Sequence, residues 1–297
     1  MPRIPEIITN SIVYLYGDKD DAETGVDRGG SGFCVGMRSE RNNSANHIYA
    51  VTNKHVVEDD FPLVRINLTH PSSRFERTKT IPFKRSDWVL HDHHDIAICA
   101  FPCDLTTSIL NFSVIDISFL LTEEEAMRQD IGPGDDVVYV GRFVGHAGKY
   151  ENLPSVRFGN ISMCPSDREP VNYETDDGKQ RSQVGYLVEA RSRSGYSGSP
   201  VFFLEQHIIN RRRAVIPWLD MKVIGMDWGH IPERIPLKDP SGYLHGQKWY
   251  VEVHAGMMGV VPAWFIRDFI LNSPRLIEQR KQDDEFYAAL VPFGAPE

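Results

Sequence analysis

The run Gly195-Tyr196-Ser197-Gly198-Ser199-Pro200 constrains this chain more than any other six residues. Glycines on both sides of one serine allow a φ above zero and close approach of another segment, which side chains forbid. A turn of that kind exposes the Ser197 hydroxyl and aims the N–H groups of Gly195 and Ser197 at one point. Two such donors suit a developing oxyanion, and one of them is worth roughly 2.7–4 kcal/mol of barrier. The competing reading is an ordinary Gly/Ser turn. The run alone does not decide between them.

Two further segments favour chemistry. Gly30-Ser31-Gly32-Phe33-Cys34-Val35-Gly36 precedes His47-Ile48-Tyr49-Ala50-Val51-Thr52-Asn53-Lys54-His55-Val56-Val57, a β-rich stretch ending in a polar turn that carries His55. His91-Asp92-His93-His94-Asp95-Ile96-Ala97-Ile98-Cys99 puts Asp95 immediately before a short apolar strand. A nucleophile needs a base, and the base needs an acceptor that fixes its tautomer. His55, Asp95 and Ser197 supply all three.

These motifs resemble those of the chymotrypsin-like (trypsin-like) serine peptidases, in the style of the Deg/HtrA branch. The residues that carry the resemblance are GSGF, VTNKHVV around His55, HDIAI around Asp95 and GYSGSP around Ser197. Weaker matches are GDDVVYVG from Gly134, RFGNIS from Arg157, VIGMDWG from Val223 and GVVP from Gly259. They run in order from about residue 10 to about residue 272. The resemblance implies an all-β fold of two antiparallel six-stranded barrels with a C-terminal helix, forming one catalytic unit with its site in the cleft between them. The first barrel spans about 8–115, the second about 116–261, and residues 262–297 form the helix and tail.

Four departures stand out. Ser199 occupies a position where the family usually has a second glycine, and it fits only if its φ is negative. No cysteine follows His55. About twenty extra residues, Phe203 to Lys222, separate the Ser197 run from Asp227-Trp228-Gly229, and no PDZ-type module is evident after the last strand.

The acidic balance, 41 acidic against 32 basic residues for a net charge of −9, argues against broad nucleic-acid or anionic-membrane binding. The patch Arg211-Arg212-Arg213 reads as a solvated loop. MPRIPEIITN carries no long apolar stretch, so neither a signal peptide nor a membrane helix is visible. Cys34 and Cys99 fall in core strands, and with Cys103 and Cys164 they read as reduced thiols of a cytoplasmic protein. A Cys99–Cys103 bridge is the disfavoured alternative.

Period-two patterning predicts strands at 8–18, 30–37, 47–53, 62–68, 78–82 and 96–101. A crossover over 104–134 includes a helical stretch from Thr122 to Gln129. Strands resume at 136–142, 155–163, 184–190, 200–204, 213–216, 221–227, 248–253 and 257–261. Residues 166–183 and 230–247 read as long loops. Ala263 to Leu271 has the spacing of an amphipathic helix on the second barrel, with a second helix from Arg275 to Phe286.

The resemblance implies acyl transfer. His55 takes the Ser197 proton, Asp95 orients the imidazole, and the amides of Gly195 and Ser197 hold the oxyanion. No cofactor is expected. His91, His93 and Asp95 alternate as metal ligands can, but no other cluster completes a tetrahedral set, so these histidines read as solvated residues at a strand start and no metal is expected. Arg191 and Ser192 are placed by resemblance on the specificity pocket, with Asp227, Trp228 and Gly229 as a second wall and Met257 and Met258 on a third. An inward Arg191 selects an acidic side chain; an outward one, the favoured reading, leaves an apolar preference. The expected activity is that of an endopeptidase on protein or peptide substrates, restricted or activated by a partner protein. The alternative is a catalytically silent binding or scaffold protein on the same fold.

Overall fold

The computed structural model describes residues 3–25, 29–42, 45–68, 77–102, 113–174, 180–190, 195–204, 221–237 and 250–290. The N-terminal half is built from β1 (Ile12–Tyr16), β2 (Ser31–Arg38), β3 (Asn46–Thr52), β4 (Leu63–Asn67), β5 (Thr78–Ile81), β6 (Val89–Leu90), β7 (Ala97–Ala100) and β8 (Ile115–Asp116). They hydrogen-bond in the order β5-β4-β1-β2-β3-β7-β6, with β8 parallel to β2 and the other pairs antiparallel. The C-terminal half contains β9 (Asp136–Gly141), β10 (Ser155–Met163), β11 (Val171–Glu174), β12 (Gln180–Gln183), β13 (Tyr186–Glu189), β14 (Pro200–Leu204), β15 (Met221–Pro236) and β16 (Tyr250–Pro262). Six of these close into a barrel, β10-β13-β16-β15-β14-β9. The all-β expectation holds and the second barrel closes as expected. In the first half the described strands form an eight-stranded sheet, and among the described residues no ladder joins β5 to β6.

Alternation along the strands explains where the cores lie, because successive side chains leave a strand on opposite faces. In β1 all five residues are buried. Val13 and Leu15 join Cys34, Ala50, Val64 and Phe101 inside the N-terminal sheet. Tyr14 and Tyr16 face the other way, into a layer with Phe33, Val51, Val138, Val140 and Phe202 between the halves. Val137, Tyr139, Val201 and Phe203, one residue out of phase with their neighbours, fill the closed barrel. The buried Arg65 crosses the seam, donating from Nε to Asn152 Oδ1 at 2.7 Å and from a terminal nitrogen to Gly148 O at 3.0 Å.

Short helices punctuate the strands. α1 (Glu6–Asn10) and α2 (Lys19–Thr24) flank β1, and α3 (Lys54–Glu58) follows β3. α1 takes the start of the strand expected over 8–18, since Ser11 N–H bonds back to Ile7 O and Ile8 O. α4 (Glu123–Arg128) begins at a reciprocal cap: Thr122 Oγ1 accepts the Glu125 N–H at 3.1 Å, and Glu125 Oε2 accepts the Thr122 N–H at 3.0 Å.

Two segments expected to be loops carry regular structure. Residues 166–183 contain the antiparallel pair β11–β12. β15 and β16 continue past the barrel as a two-stranded ribbon, from Pro232 opposite His254 to Pro236 opposite Tyr250. The strand expected at 213–216 lies outside the described residues.

The last described elements are α5 (Ala263–Asn272) and α6 (Pro274–Leu290). α5 packs on β15 and β16 as expected, and its Arg267 donates to Ile117 O at 2.7 Å. α6 turns back onto the N-terminal sheet. Its Asp284 meets His47 Nε2 at 3.1 Å and its Tyr287 hydroxyl donates to Asn46 O at 3.2 Å. Among the described residues no helix is long and apolar enough to cross a membrane.

Candidate active site

His55 stands in the first turn of α3, where Asn53 is the N-cap residue. Asn53 Nδ2 also donates to Asp95 O at 3.0 Å, tying the two turns together. Asp95 reaches His55 twice. Its Oδ1 accepts the His55 backbone N–H at 3.0 Å, and its Oδ2 lies 2.7 Å from His55 Nδ1. A carboxylate at that distance makes Nδ1 the protonated nitrogen of a neutral imidazole and leaves Nε2 the basic one. The Asp95 side chain is only 5 % exposed, against 31 % for His55. The buried carboxylate thus backs a partly exposed ring. Gln183 completes the mount, its Oε1 accepting the Asp95 N–H at 3.2 Å.

The histidines before Asp95 build this turn. His91 Nδ1 accepts the backbone N–H groups of His93 and His94, each at 3.0 Å. His94 Nδ1 pairs with Gln183 Nε2 at 3.0 Å, and its ring stacks on Phe265 with centroids 3.8 Å apart. Burial pushes both rings toward neutrality, His94 down to about 4. Among the described residues no three potential ligands are grouped for a metal ion.

Ser197 comes from the other half, on the turn entering β14. Gly195 and Gly198 have φ of 95° and 89°. A Cβ on Gly198 would sit 1.9 Å from Ser31 O and 2.5 Å from Thr52 Oγ1, so the turn needs glycine for both conformation and space. The turn is seated on strands of the first half. Ser31 N–H donates to Ser197 O at 2.8 Å, and Ser31 Oγ donates to Gly195 O at 2.7 Å. Gly30 is wedged between Ser197 O and the side chain of Val56, the residue after His55: a Cβ there would lie 3.0 Å from the first and 2.8 Å from the second. The Ser197 turn and the His55 turn therefore meet across one glycine. Among the described residues no hydrogen bond engages the amide of Gly195 or Ser197.

Ser199 has negative φ, the condition its fit required. Its buried hydroxyl points at Gly141, where a Cβ would be only 1.8 Å away, so a glycine on β9 makes room for the family's missing one. No sequence motif marks Tyr196 as a support of this turn. It is fully buried, its hydroxyl bonds to Ser155 Oγ and accepts from Arg157 Nε at 2.6 Å, and its ring meets Tyr139 edge-on at 5.4 Å. The residue between the two candidate amide donors is thus pinned to the closed barrel.

The residues assigned to the specificity pocket separate. Asp227 is fully buried. Its backbone brackets the Ser197 turn, with O accepting from Gly198 and N–H donating to Ser199 O, both at 2.9 Å, and its carboxylate accepts the Gly229 N–H at 2.7 Å. Trp228 lies 4.3 Å from the Tyr173 ring and covers Gly259. Gly229, with φ of 143°, has open space where a Cβ would stand. The alternation of β16 parts Met257 from Met258: the first is half-buried at the surface and the second is in the barrel core. Arg191 and Ser192 lie outside the described residues, as does Cys103. Cys34, Cys99 and Cys164 are free thiols.

A trypsin-like peptidase domain model matches residues 30–209, more than half of the 297. The chain belongs to the trypsin-like peptidase family. In this peptidase chain the matched span holds His55, Asp95 and Ser197. It is similar in structure to Rv3671c protease in its inactive form, at 15% identity and a TM-score of 0.43 over 90% of this chain and 91% of that one. The active form of Rv3671c protease from M. tuberculosis gives 15% identity and a TM-score of 0.42, covering 90% and 82%. The atomic-resolution structure of HBP gives 9% and 0.43, covering 91% and 95%. No curated protein matches this peptidase-family sequence significantly.

Proposed function

We propose that this chain is a serine endopeptidase with His55, Asp95 and Ser197 as its triad. The observation that carries the reading is the double contact of Asp95 with His55, through the backbone at 3.0 Å and Nδ1 at 2.7 Å, on a turn that meets the Ser197 turn across Gly30. His55 Nε2 takes the hydroxyl proton as Ser197 Oγ attacks a peptide carbonyl. Asp95 stabilises the resulting imidazolium, and the Gly195 and Ser197 amides receive the oxyanion. The C–N bond then breaks as His55 returns the proton to the leaving amine. Water, deprotonated by His55, releases the acyl group from Ser197. An extended substrate adds to the β15 edge near Gly229, where no side chain obstructs it.

Ser199, in place of the family's usual glycine, is the departure that bears on a silent scaffold, and its negative φ beside Gly141 supports the active reading instead. The test is labelling by a fluorophosphonate probe of wild type, Ser197→Ala and His55→Ala. The reading predicts labelling of wild type alone. Equal labelling of Ser197→Ala would refute it.

A further inference from the structure

Away from the Ser197 turn, the closed barrel carries a cavity of about 380 Å³ between α4, the end of β10, the start of β13 and the start of α5. That size lies within the range of small-ligand pockets, roughly 300–1,000 Å³. Ile131, Tyr186 and Trp264 give it an apolar, aromatic lining, with the Tyr186 and Trp264 rings edge-on at 5.9 Å. Every charged residue lining it is acidic: Glu123, Asp130 and Asp167, all exposed. A cation on an apolar stem satisfies both features, since carboxylates pair with its charge and the indole face attracts it further. An anion meets only repulsion there.

The cavity also backs onto the Asp95 turn. Its wall includes Val184 and Phe265. Val184 follows Gln183, which holds the Asp95 N–H, and Phe265 is the ring on which His94 stacks. We propose that this cavity is a regulatory site for an amphiphilic cation, an ammonium or guanidinium on an aromatic or aliphatic stem, whose occupancy shifts the Asp95 turn. Two sources share that chemistry: a free arylalkylamine, and a Lys or Arg side chain beside an apolar residue in a peptide. Binding at the site is independent of the catalytic reading, because its test reads binding and local structure rather than turnover; its regulatory role rests on that reading.

The test is a 15N–1H NMR titration of the full chain carrying Ser197→Ala, with 3-phenylpropylamine as the cationic probe and 3-phenylpropanol as its neutral counterpart. The amine is expected to shift the amides of Cys164, Val184 and Tyr186 and, through Gln183, that of Asp95. It should bind at least tenfold more tightly than the alcohol at low salt. The triple variant Glu123→Gln, Asp130→Asn, Asp167→Asn should lose that advantage. Asparagine tolerates the positive φ of 53° at position 130, so this variant keeps its backbone. A second block is maleimide conjugation of the exposed Cys164 in a Cys103→Ser background, which should abolish amine binding; Cys34 and Cys99 are buried. An acetyl-Arg-Trp-amide arm assigns the source: tighter binding than the amine indicates a peptide segment, weaker binding a free amine. Equal affinity for amine and alcohol, or binding that survives both the triple variant and the conjugation, would overturn the site. A bound amine that leaves the Asp95 amide unmoved would overturn its regulatory role.

Discussion

Tyr196→Phe removes one oxygen from the turn that presents the nucleophile and changes little else. The ring keeps its edge-on contact with Tyr139 at 5.4 Å and its place under the Arg157 guanidinium, 5.0 Å from the ring centroid. What disappears is the acceptor for Arg157 Nε at 2.6 Å and the bond to Ser155 Oγ. A hydrogen bond to a charged group contributes about 1.5–3 kcal/mol, so a loss of about 2 kcal/mol is expected. At about 2–4 °C per kcal/mol for a chain of this size class, Tm should fall by about 4–8 °C. The consequence for reactivity is separate. Losing one oxyanion donor outright costs about 2.7–4 kcal/mol; loosening the turn that aims both should cost less, about 1.4 kcal/mol or tenfold in rate. The assay pairs thermal unfolding with the second-order rate of fluorophosphonate labelling at a temperature where both proteins are folded. A variant that melts earlier but labels at the wild-type rate would refute the reasoning, because Tyr196 would then support the barrel and not the donors.

Other substitutions test the same geometry. Ser199→Ala removes a buried hydroxyl with no hydrogen bond among the described residues and should raise stability by about 1 kcal/mol, read by urea unfolding. Gly141→Ala should destabilise, since its Cβ would stand 1.8 Å from Ser199 Oγ, and adding Ser199→Gly should recover part of the loss in a double-mutant cycle. Asp95→Asn should leave the fold intact while lowering the labelling rate by about 10⁴-fold, because an amide no longer fixes the His55 tautomer. His94 binds its proton less readily folded, down to about 4, than unfolded, at 6.5. The unfolded chain therefore takes up protons first, and stability from this group is complete above pH 6.5 and lost as pH falls toward about 4. His94→Gln should flatten the stability profile in that window; an unchanged slope would exclude this histidine as a cause.

The parts of this protein legible in its sequence are those written in short, local runs. Gly195 to Pro200 signals a turn because glycine and proline constrain φ wherever they stand, and the negative φ required of Ser199 could be stated beforehand. The β9, β10 and β14 segments appear within a residue of their expected bounds. Tyr196 was illegible because its partners, Ser155 and Arg157, lie 41 and 39 residues away. The docking of α6 on the N-terminal sheet rests on Asp284 meeting His47 across 237 residues, which no periodicity announces. The ribbon beyond the barrel misled for a different reason. Pro232 and Pro236 are tolerated there because beyond Met226 the ladder joins β15 to β16 alone, among the described residues, so the ribbon's other edge needs no donors. Met257 and Met258 differ in burial because adjacent residues of a strand face opposite ways.

The central claim is that Ser197 is acylated with His55 as its base, and intact-protein mass spectrometry with a chromogenic ester tests it most directly. Wild type incubated with p-nitrophenyl acetate and quenched in acid should carry one acetyl group, mapped to the peptide containing Ser197. A p-nitrophenolate burst of about one equivalent should accompany it, the fingerprint of an accumulating acyl-enzyme, with neither signal in Ser197→Ala or His55→Ala. An acetyl group on another residue, or a burst that persists in Ser197→Ala, would contradict the account.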